Sequence, residues 1–373
     1  MITKQNLKLE NKKLIIFAPF IEIGGIEKNI FILTNYLMNN LNNISLITCD
    51  QKIKKKFRNN LEIISPNDKF LITKNRFIKN LTCLILLVFT IVRLNRKCVI
   101  FSFQSNLYTT LIARLFRVKN IVRVAAYGWM LNLIKSKIFK MILPLASKII
   151  VNSKEMKNLL KRNMKINSVC IYNPLNRNEI NKLKKTKKKF FKNKKSLKIL
   201  FLGRLVDQKD PFTFLKSLKL IKNFVDYEAL IVGSGNLKNN IKEYIKNNNL
   251  NFSVNLIPHK NNPLQYLNQC DLFILTSRYE GLPNVLLEAQ YLKKYIISTN
   301  CKTGPTEILK YGKLGDLIEI GNYKKLSRKI IDYEINKKKF YINNKIDAAF
   351  RATSRFDYEI NCRKYLDSVK EYL

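Results

Sequence analysis

The sequence predicts an α/β protein made of two Rossmann-like halves on parallel sheets, and three observations carry that prediction. Short apolar runs of strand length alternate with longer amphipathic stretches almost from end to end, the pattern of successive β-α-β units. The chain has 373 residues, more than the roughly 100 to 200 of a single domain, and its 46% hydrophobic content can fill two cores. Between Asn178 and Lys198 the alternation gives way to Lys, Asn and Phe without a clean period, after Asn173-Pro174 and before a fresh apolar run. That break reads as an interdomain linker.

The expected elements follow in order. In the first half, strands are expected at Leu14 to Ala18, Ile44 to Cys49, Val99 to Phe103, Ile121 to Ala125, Ile149 to Asn152 and Val169 to Tyr172. Helices begin between them near Ile26, Arg76, Leu107, Met130 and Lys154. The second half repeats the scheme with strands at Lys198 to Gly203, Tyr227 to Gly233, Ser253 to Leu256, Leu272 to Thr276 and Tyr295 to Ser298. Its helices begin near Phe212, Asn236, Pro263, Pro283 and Thr306. The resulting division is 1–177, a linker at 178–197, 198–350, and a helical tail at 351–373. In the tail, Tyr358, Ile360, Tyr365, Leu366, Val369 and Tyr372 recur at three- and four-residue spacing, so it packs on one of the two halves. No repeat of solenoid period is present.

Composition narrows the function classes. A formal net charge of +43 invites an anionic partner. However, Lys far outnumbers Arg, and Lys, Asn and Ile recur throughout, as compositional bias alone produces. Nucleic acid is not the expected partner, because the basic residues are dispersed and neither aromatic interleaving nor a recognition-helix signature accompanies them. Seven cysteines without a C-x-x-C pair, and a single histidine, His259, argue against a zinc site or a disulfide framework and fit a reducing cytoplasm. Met1 to Lys13 is polar and basic, without the apolar segment of a secretion signal. The longest uncharged apolar run lies between Lys79 and Arg93, well short of the ~20 residues that span a bilayer. The Arg76 to Leu94 stretch reads as a core helix of the first half. Its basic flanks Lys74, Lys79, Arg93, Arg96 and Lys97 would also draw it to anionic lipid.

The strongest chemical signal is Arg278-Tyr279-Glu280-Gly281-Leu282-Pro283-Asn284-Val285-Leu286-Leu287-Glu288, directly after an apolar strand. A strand, a tight turn at Gly281 and Pro283 at a first helical position place Glu280 at the C-terminal edge of a parallel sheet, where open α/β folds bind ligands. Glu288 falls under two turns into the helix. Two carboxylates in one crevice can accept hydroxyl hydrogen bonds from sugar and ribose. The plain alternative is a helix-dipole cap and a solvated surface charge.

The stretch Leu272 to Leu309 resembles the nucleotide-sugar site of glycosyltransferase family 4, whose mark is two glutamates with seven residues between them, as Glu280 and Glu288 have, and Ser298 to Leu309 is similar to its next strand, glycine-bearing loop and Glu-Ile pair. Phe201-Leu202-Gly203-Arg204-Leu205, with Lys209 five residues after Arg204, is similar to the Gly-Arg-Leu segment of that family. Ile23-Gly24-Gly25-Ile26-Glu27 resembles its glycine-rich first loop, and Val232-Gly233-Ser234-Gly235 its loop near the nucleotide. The likeness runs in consistent order from about Leu14 to Leu309. It implies a GT-B fold, with two Rossmann-like domains facing a central cleft, the first binding the acceptor and the second the donor. It also implies a retaining, metal-independent transfer from a nucleotide diphosphate sugar, a UDP-sugar, to a glycan or lipid-linked acceptor in bacterial surface polysaccharide assembly.

By that resemblance Arg204, Lys209 and Glu280 form the catalytic set, the two cations on the donor diphosphate and the carboxylate on the sugar. Glu288 takes the ribose, and Gly24, Gly25, Gly203, Gly233, Gly235, Gly281, Leu282 and Asn284 line the donor site. The chemistry agrees, because a departing nucleoside diphosphate gains negative charge that fixed cations stabilise. No Asp-x-Asp occurs, so the usual carboxylate pair for a bridging metal ion is missing and no cofactor is expected.

Two departures stand out. The family often carries a histidine in the first domain, but the matching segments here read Ser102-Phe103-Gln104-Ser105-Asn106 and Arg123-Val124-Ala125-Ala126-Tyr127, and His259 lies in the second half. Also, Leu282-Pro283 replaces the usual Phe-Gly, and Pro283 has no N–H to give. Two other classes fit less well. A dinucleotide-dependent oxidoreductase is disfavoured because Pro19-Phe20-Ile21-Glu22 follows the first strand where G-x-G-x-x-G is needed. A non-catalytic homologue is disfavoured by the retained cations and glutamates.

Overall fold

The computed structural model describes residues 12–21, 24–50, 57, 61–66, 75–125, 136–258 and 262–373. The chain divides into two compact units, Met1–Pro174 with Tyr358–Leu373, and Leu175–Asp357. Among the described residues the first unit carries β1 (Lys13–Phe17), β2 (Ile44–Ile47), β3 (Glu62–Ile64), β4 (Cys98–Ser102), β5 (Lys119–Val124), β6 (Lys148–Val151) and β7 (Val169–Cys170). They form one parallel sheet in the order β3-β2-β1-β4-β5-β6-β7. The helices are α1 (Gly25–Met38), α2 (Arg76–Arg93), α3 (Asn106–Phe116), α4 (Lys137–Ile142) and α5 (Lys154–Met164). The helix expected near Met130 begins outside the described residues.

Sheets of this kind are covered on both faces, which is why β1 reads as an unbroken apolar run and Leu14, Ile15, Ile16 and Phe17 are all fully buried. Leu14 and Ile16 point into a core with Ile30, Leu33 and Leu37 of α1. Ile15 and Phe17 point to the opposite face, against Cys83, Leu87 and Ile91 of α2 and Ala113 of α3. On that second face the layer continues with Val122 and Val124 against Phe139 of α4 and Met156 of α5.

The second unit carries β8 (Leu197–Leu202), β9 (Tyr227–Val232), β10 (Val254–Ile257), β11 (Leu272–Leu275), β12 (Tyr295–Thr299) and β13 (Asp316–Ile318), all parallel, in the order β10-β9-β8-β11-β12-β13. Its helices are α6 (Arg177–Leu183), α7 (Pro211–Ile221), α8 (Lys238–Asn247), α9 (Leu264–Gln269), α10 (Asn284–Tyr291), α11 (Pro305–Ile308), α12 (Tyr323–Asn336) and α13 (Phe340–Ala352). In both sheets the chain winds outward one way from the first strand and then restarts beside it in the other direction. That reversal, at β1/β4 and β8/β11, opens a crevice at the carboxyl ends of the strands.

The expected linker at 178–197 is instead part of the second unit. Asn176 caps α6 by accepting from Glu179 N at 3.0 Å, and Asn262 Nδ2 donates to Leu183 O at 2.7 Å. Beyond the helix, Gln269 Nε2 donates to Lys188 O at 2.8 Å, Phe190 lies on Tyr266 with centroids 4.1 Å apart, and Phe191 is buried. The segment lacks a period because side chains of other elements satisfy its backbone. The tail also divides differently, since 351–357 stays with the second unit and the chain returns to the first at Tyr358.

The returning helix α14 (Tyr358–Lys370) adds Cys362, Tyr365, Leu366 and Val369 to the β1–α1 core. Tyr365 OH accepts from Arg123 Nε at 3.0 Å and donates to Ile171 O at 3.2 Å, while Arg123 NH2 donates to Asn173 Oδ1 at 2.7 Å. Arg123 is 1% exposed and lies over the rings of Phe103 and Tyr365. Burial pushes the Tyr365 phenol above its ordinary pKa, and the guanidinium opposes the shift. A buried guanidinium tolerates loss of an acceptor poorly. Tyr365→Phe is therefore expected to lower stability by roughly 1–3 kcal/mol, read from the urea midpoint at unchanged slope.

Candidate functional site

The second unit's crevice is built from the loops after β8 and β11. After β8 the chain turns through Gly203, Arg204 and a short 3₁₀ turn, Asp207–Lys209, into α7. Asp210, at φ 46°, caps that helix by accepting from Thr213 N at 3.2 Å and Thr213 Oγ1 at 3.0 Å. Thr276, just past β11, donates its hydroxyl to Asp210 O at 2.8 Å, so the two loops are fastened where they leave the sheet. Gln208 fastens them again, receiving Arg278 N at 2.8 Å and donating Nε2 to Tyr279 O at 3.0 Å.

Lys209 and Glu280 meet on this scaffold. Lys209 Nζ forms an ion pair with Glu280 Oε1, and Ser277 Oγ donates to the same oxygen at 2.6 Å. The pair is nearly enclosed, with side-chain exposures of 15% for the lysine and 8% for the glutamate. Removal from water strengthens such a contact and fixes both groups in place. Exposed Arg204 reaches Gln208 Oε1 at 2.9 Å, which holds its guanidinium beside the same turn. Glu288 lies on α10 and is 6% exposed, while Glu280 is 7% exposed, so neither is the solvated surface charge that spacing alone allows.

Glycines let the loops approach one another. A Cβ on Gly233 would sit 1.9 Å from Gly203 O, and one on Gly235 would sit 2.2 Å from Leu205 O. The β9 loop is thereby pressed onto the β8 loop, with Leu205 N donating to Ser234 O at 2.9 Å. Gly304 does the same on the other side, where its Cβ would meet Gly281 O at 2.1 Å. The turn at Gly281 leads into buried Leu282. Helix α10 begins at Asn284, with Pro283 as its cap at ψ 112°, one position earlier than the first-helical place expected for it.

Gly24 and Gly25 belong to the first unit, where Gly24 precedes α1 in extended conformation at φ 178° and Gly25 is the first helical residue. Neither conformation requires glycine, and both residues are exposed. At the first unit's own crevice, in the segment where the family histidine was sought, Gln104 Nε2 donates to Phe20 O at 2.8 Å and its Oε1 accepts from Phe20 N at 3.2 Å. Gln104 thus clamps the loop after β1 instead of supplying a titratable group. His259 lies outside the described residues.

Three contributors escaped the sequence reading. Ser277 and Gln208 act as above, and buried Thr303 donates to Glu280 O. Only position gave a signal, since each lies in a loop that follows a strand, within a stretch that the family resemblance covers. Beside them the Cys301 thiol is pushed up to about 12 by burial and by the Glu280 carboxylate, so it stays neutral. Among the described residues no group of three or more His, Cys, Asp or Glu side chains is placed to hold a metal ion.

A family model described as glycosyl transferases group 1 matches residues 153–346. An amylovoran biosynthesis glycosyltransferase of Erwinia amylovora is 30% identical over 217 residues, covering 56% of this chain and 59% of that protein. The N-acetylgalactosamine-N,N'-diacetylbacillosaminyl-diphospho-undecaprenol 4-alpha-N-acetylgalactosaminyltransferase of Campylobacter jejuni is 32% identical over 124 residues, 33% of either chain. The chain thus spans less than two thirds of the length of these curated relatives. The crystal structure of Anabaena HepE in complex with UDP-glucose superposes with a TM-score of 0.76 at 14% identity, covering 96% of this chain and 99% of that one. The two α/β units accordingly have the GT-B fold.

Proposed function

Because the chain belongs to the glycosyl transferases group 1, we propose that it transfers a sugar from a UDP-sugar to a glycan or lipid-linked acceptor in bacterial surface polysaccharide assembly, with retention and without a metal. The observation that carries the reading is the enclosed Lys209–Glu280 pair at the β8/β11 reversal, with Arg204 held beside it. Cleavage of the anomeric bond leaves a pyrophosphate whose charge rises as it departs. Lys209 and Arg204 are the cations to receive that charge, as a point charge and a planar fork. Glu280 accepts from a sugar hydroxyl, and Glu288 from the ribose. Glu280 is not assigned as a nucleophile. Metal independence draws on this cation set together with the lack of Asp-x-Asp. The acceptor class draws on the relatives, one named for amylovoran biosynthesis and the other for a diphospho-undecaprenol substrate.

The test is a binding and hydrolysis screen across UDP- and GDP-sugars with and without EDTA. Turnover of a UDP-sugar should survive the chelator, and Glu288→Ala should weaken donor binding by roughly 10- to 100-fold, the value of a hydrogen bond to a charged group. An obligatory metal overturns the first expectation. Unchanged donor affinity overturns the assignment of Glu288.

A further inference from the structure

One face of the first unit is apolar on its outside as well as its inside. Helix α2 buries Cys83, Leu87, Thr90 and Ile91 against the sheet. On its other side it shows Phe77, Leu81, Ile85, Phe89 and Val92 to solvent, with Phe77 and Phe89 71% and 69% exposed. Their spacing of four, four, four and three residues makes one stripe along the helix. Helix α3 packs beside α2 and α4 beside α3, all three on the sheet face lined by Ile15, Ile100 and Val122. The stripe therefore widens: α3 exposes Tyr108, Leu111 and Leu115, and Ile138 and Met141 of α4 with Leu145 just beyond it are exposed as well. Single exposed apolar side chains need no explanation, but three adjacent helices with the same outward chemistry do.

Charge identifies the occupant. No Asp or Glu occurs between Asp68 and Glu155, the stretch that contains all three helices. Arg96, Arg114, Arg117, Lys137 and Lys140 are exposed around the apolar residues, as is Arg93, which pairs with Glu62 at 3.1 Å. A second copy of this chain would bring like charge onto like charge, which disfavours self-association through this face. Among the described residues no helix is long and apolar enough to cross a membrane. A wide apolar face on helices that carry cations and no carboxylate of their own, with Glu62 and Asp50 paired to Arg93 and Lys79 of α2, has the composition of a surface that lies in the headgroup layer of an anionic bilayer.

We infer that the outer face of α2, α3 and α4 is a membrane-docking surface selective for anionic lipid. The inference stands on this surface alone and does not depend on the transfer reaction. Its test is sedimentation of the full chain with vesicles of phosphatidylcholine, alone or with about one third phosphatidylglycerol, at low and high salt. Expected is binding at least about tenfold tighter to the anionic vesicles, largely lost in high salt as exposed charges are screened. Phe89→Glu and Leu115→Glu should each weaken that binding about tenfold without changing the circular dichroism spectrum, because both side chains already face water. Arg114→Glu with Lys140→Glu should remove the preference for anionic lipid. Equal partition onto both vesicle types, or binding indifferent to all four substitutions, overturns the inference. So does a chain that ignores vesicles yet forms a dimer abolished by Phe89→Glu.

Discussion

Lys209→Ala is expected to lower kcat by roughly 10²- to 10³-fold, the usual cost of removing one group aimed at developing negative charge. The same substitution leaves the Glu280 carboxylate enclosed with Ser277 as its remaining partner. Stability should therefore fall by about 3 kcal/mol, the lower end of the range for breaking a buried pair, because the lysine retains some exposure. The two effects separate in the double variant Lys209→Ala with Glu280→Ala. Stability should largely return once neither charge is buried alone, while turnover stays at or below that of the single variant. A pair that served only to hold the loops together would recover both. Measured kcat and urea midpoints for the two single variants and the double variant decide between these outcomes. A Lys209→Ala enzyme within threefold of the parent would remove the lysine from the chemistry.

This pair also shows how far the sequence alone could reach. Lys209 and Glu280 are 71 positions apart, and spacing says nothing of their meeting. It was the strand before each, together with the family resemblance, that placed them at one sheet edge. The strands that could be read were those buried on both faces, such as β1 from Leu14 onward and β11, because they form continuous apolar runs. Those that could not, β3 and β13, are three residues long, lie at sheet edges and mix polar with apolar residues. Sheet order was equally hidden, since the reversal beside β8 is a property of the winding and not of any residue. Ser277 and Thr303 were missed for a different reason. Hydroxyl residues are common after strands, and only the folded turn gives theirs a carboxylate and a carbonyl to bond. The segment 178–197 misled because missing periodicity marks a linker and a side-chain-fastened strap alike.

The second large effect is expected at Gly304. Its φ of +81° is costly for any residue with a Cβ, and that Cβ would lie 2.1 Å from Gly281 O and 2.8 Å from Pro283 Cδ. Strain and overpacking together should cost Gly304→Ala on the order of 3 kcal/mol. The more specific consequence is functional. The only relief is for the Gly281–Pro283 turn to move away, and that turn carries Glu280 at one end and the start of α10, hence Glu288, at the other. A displacement of about 1 Å is enough to lose roughly 10²-fold in rate, so turnover and donor affinity should fall together in protein that is still folded. Gly321→Ala supplies the comparison, because Gly321 has φ +79° but its Cβ would meet nothing within 4 Å. It should lose stability by strain alone, about 1 kcal/mol, and keep its turnover. If both variants lose activity in proportion to stability, backbone strain suffices as the explanation. If only Gly304→Ala loses donor affinity, the close approach of the β12 loop to Gly281 is what holds the two glutamates in register.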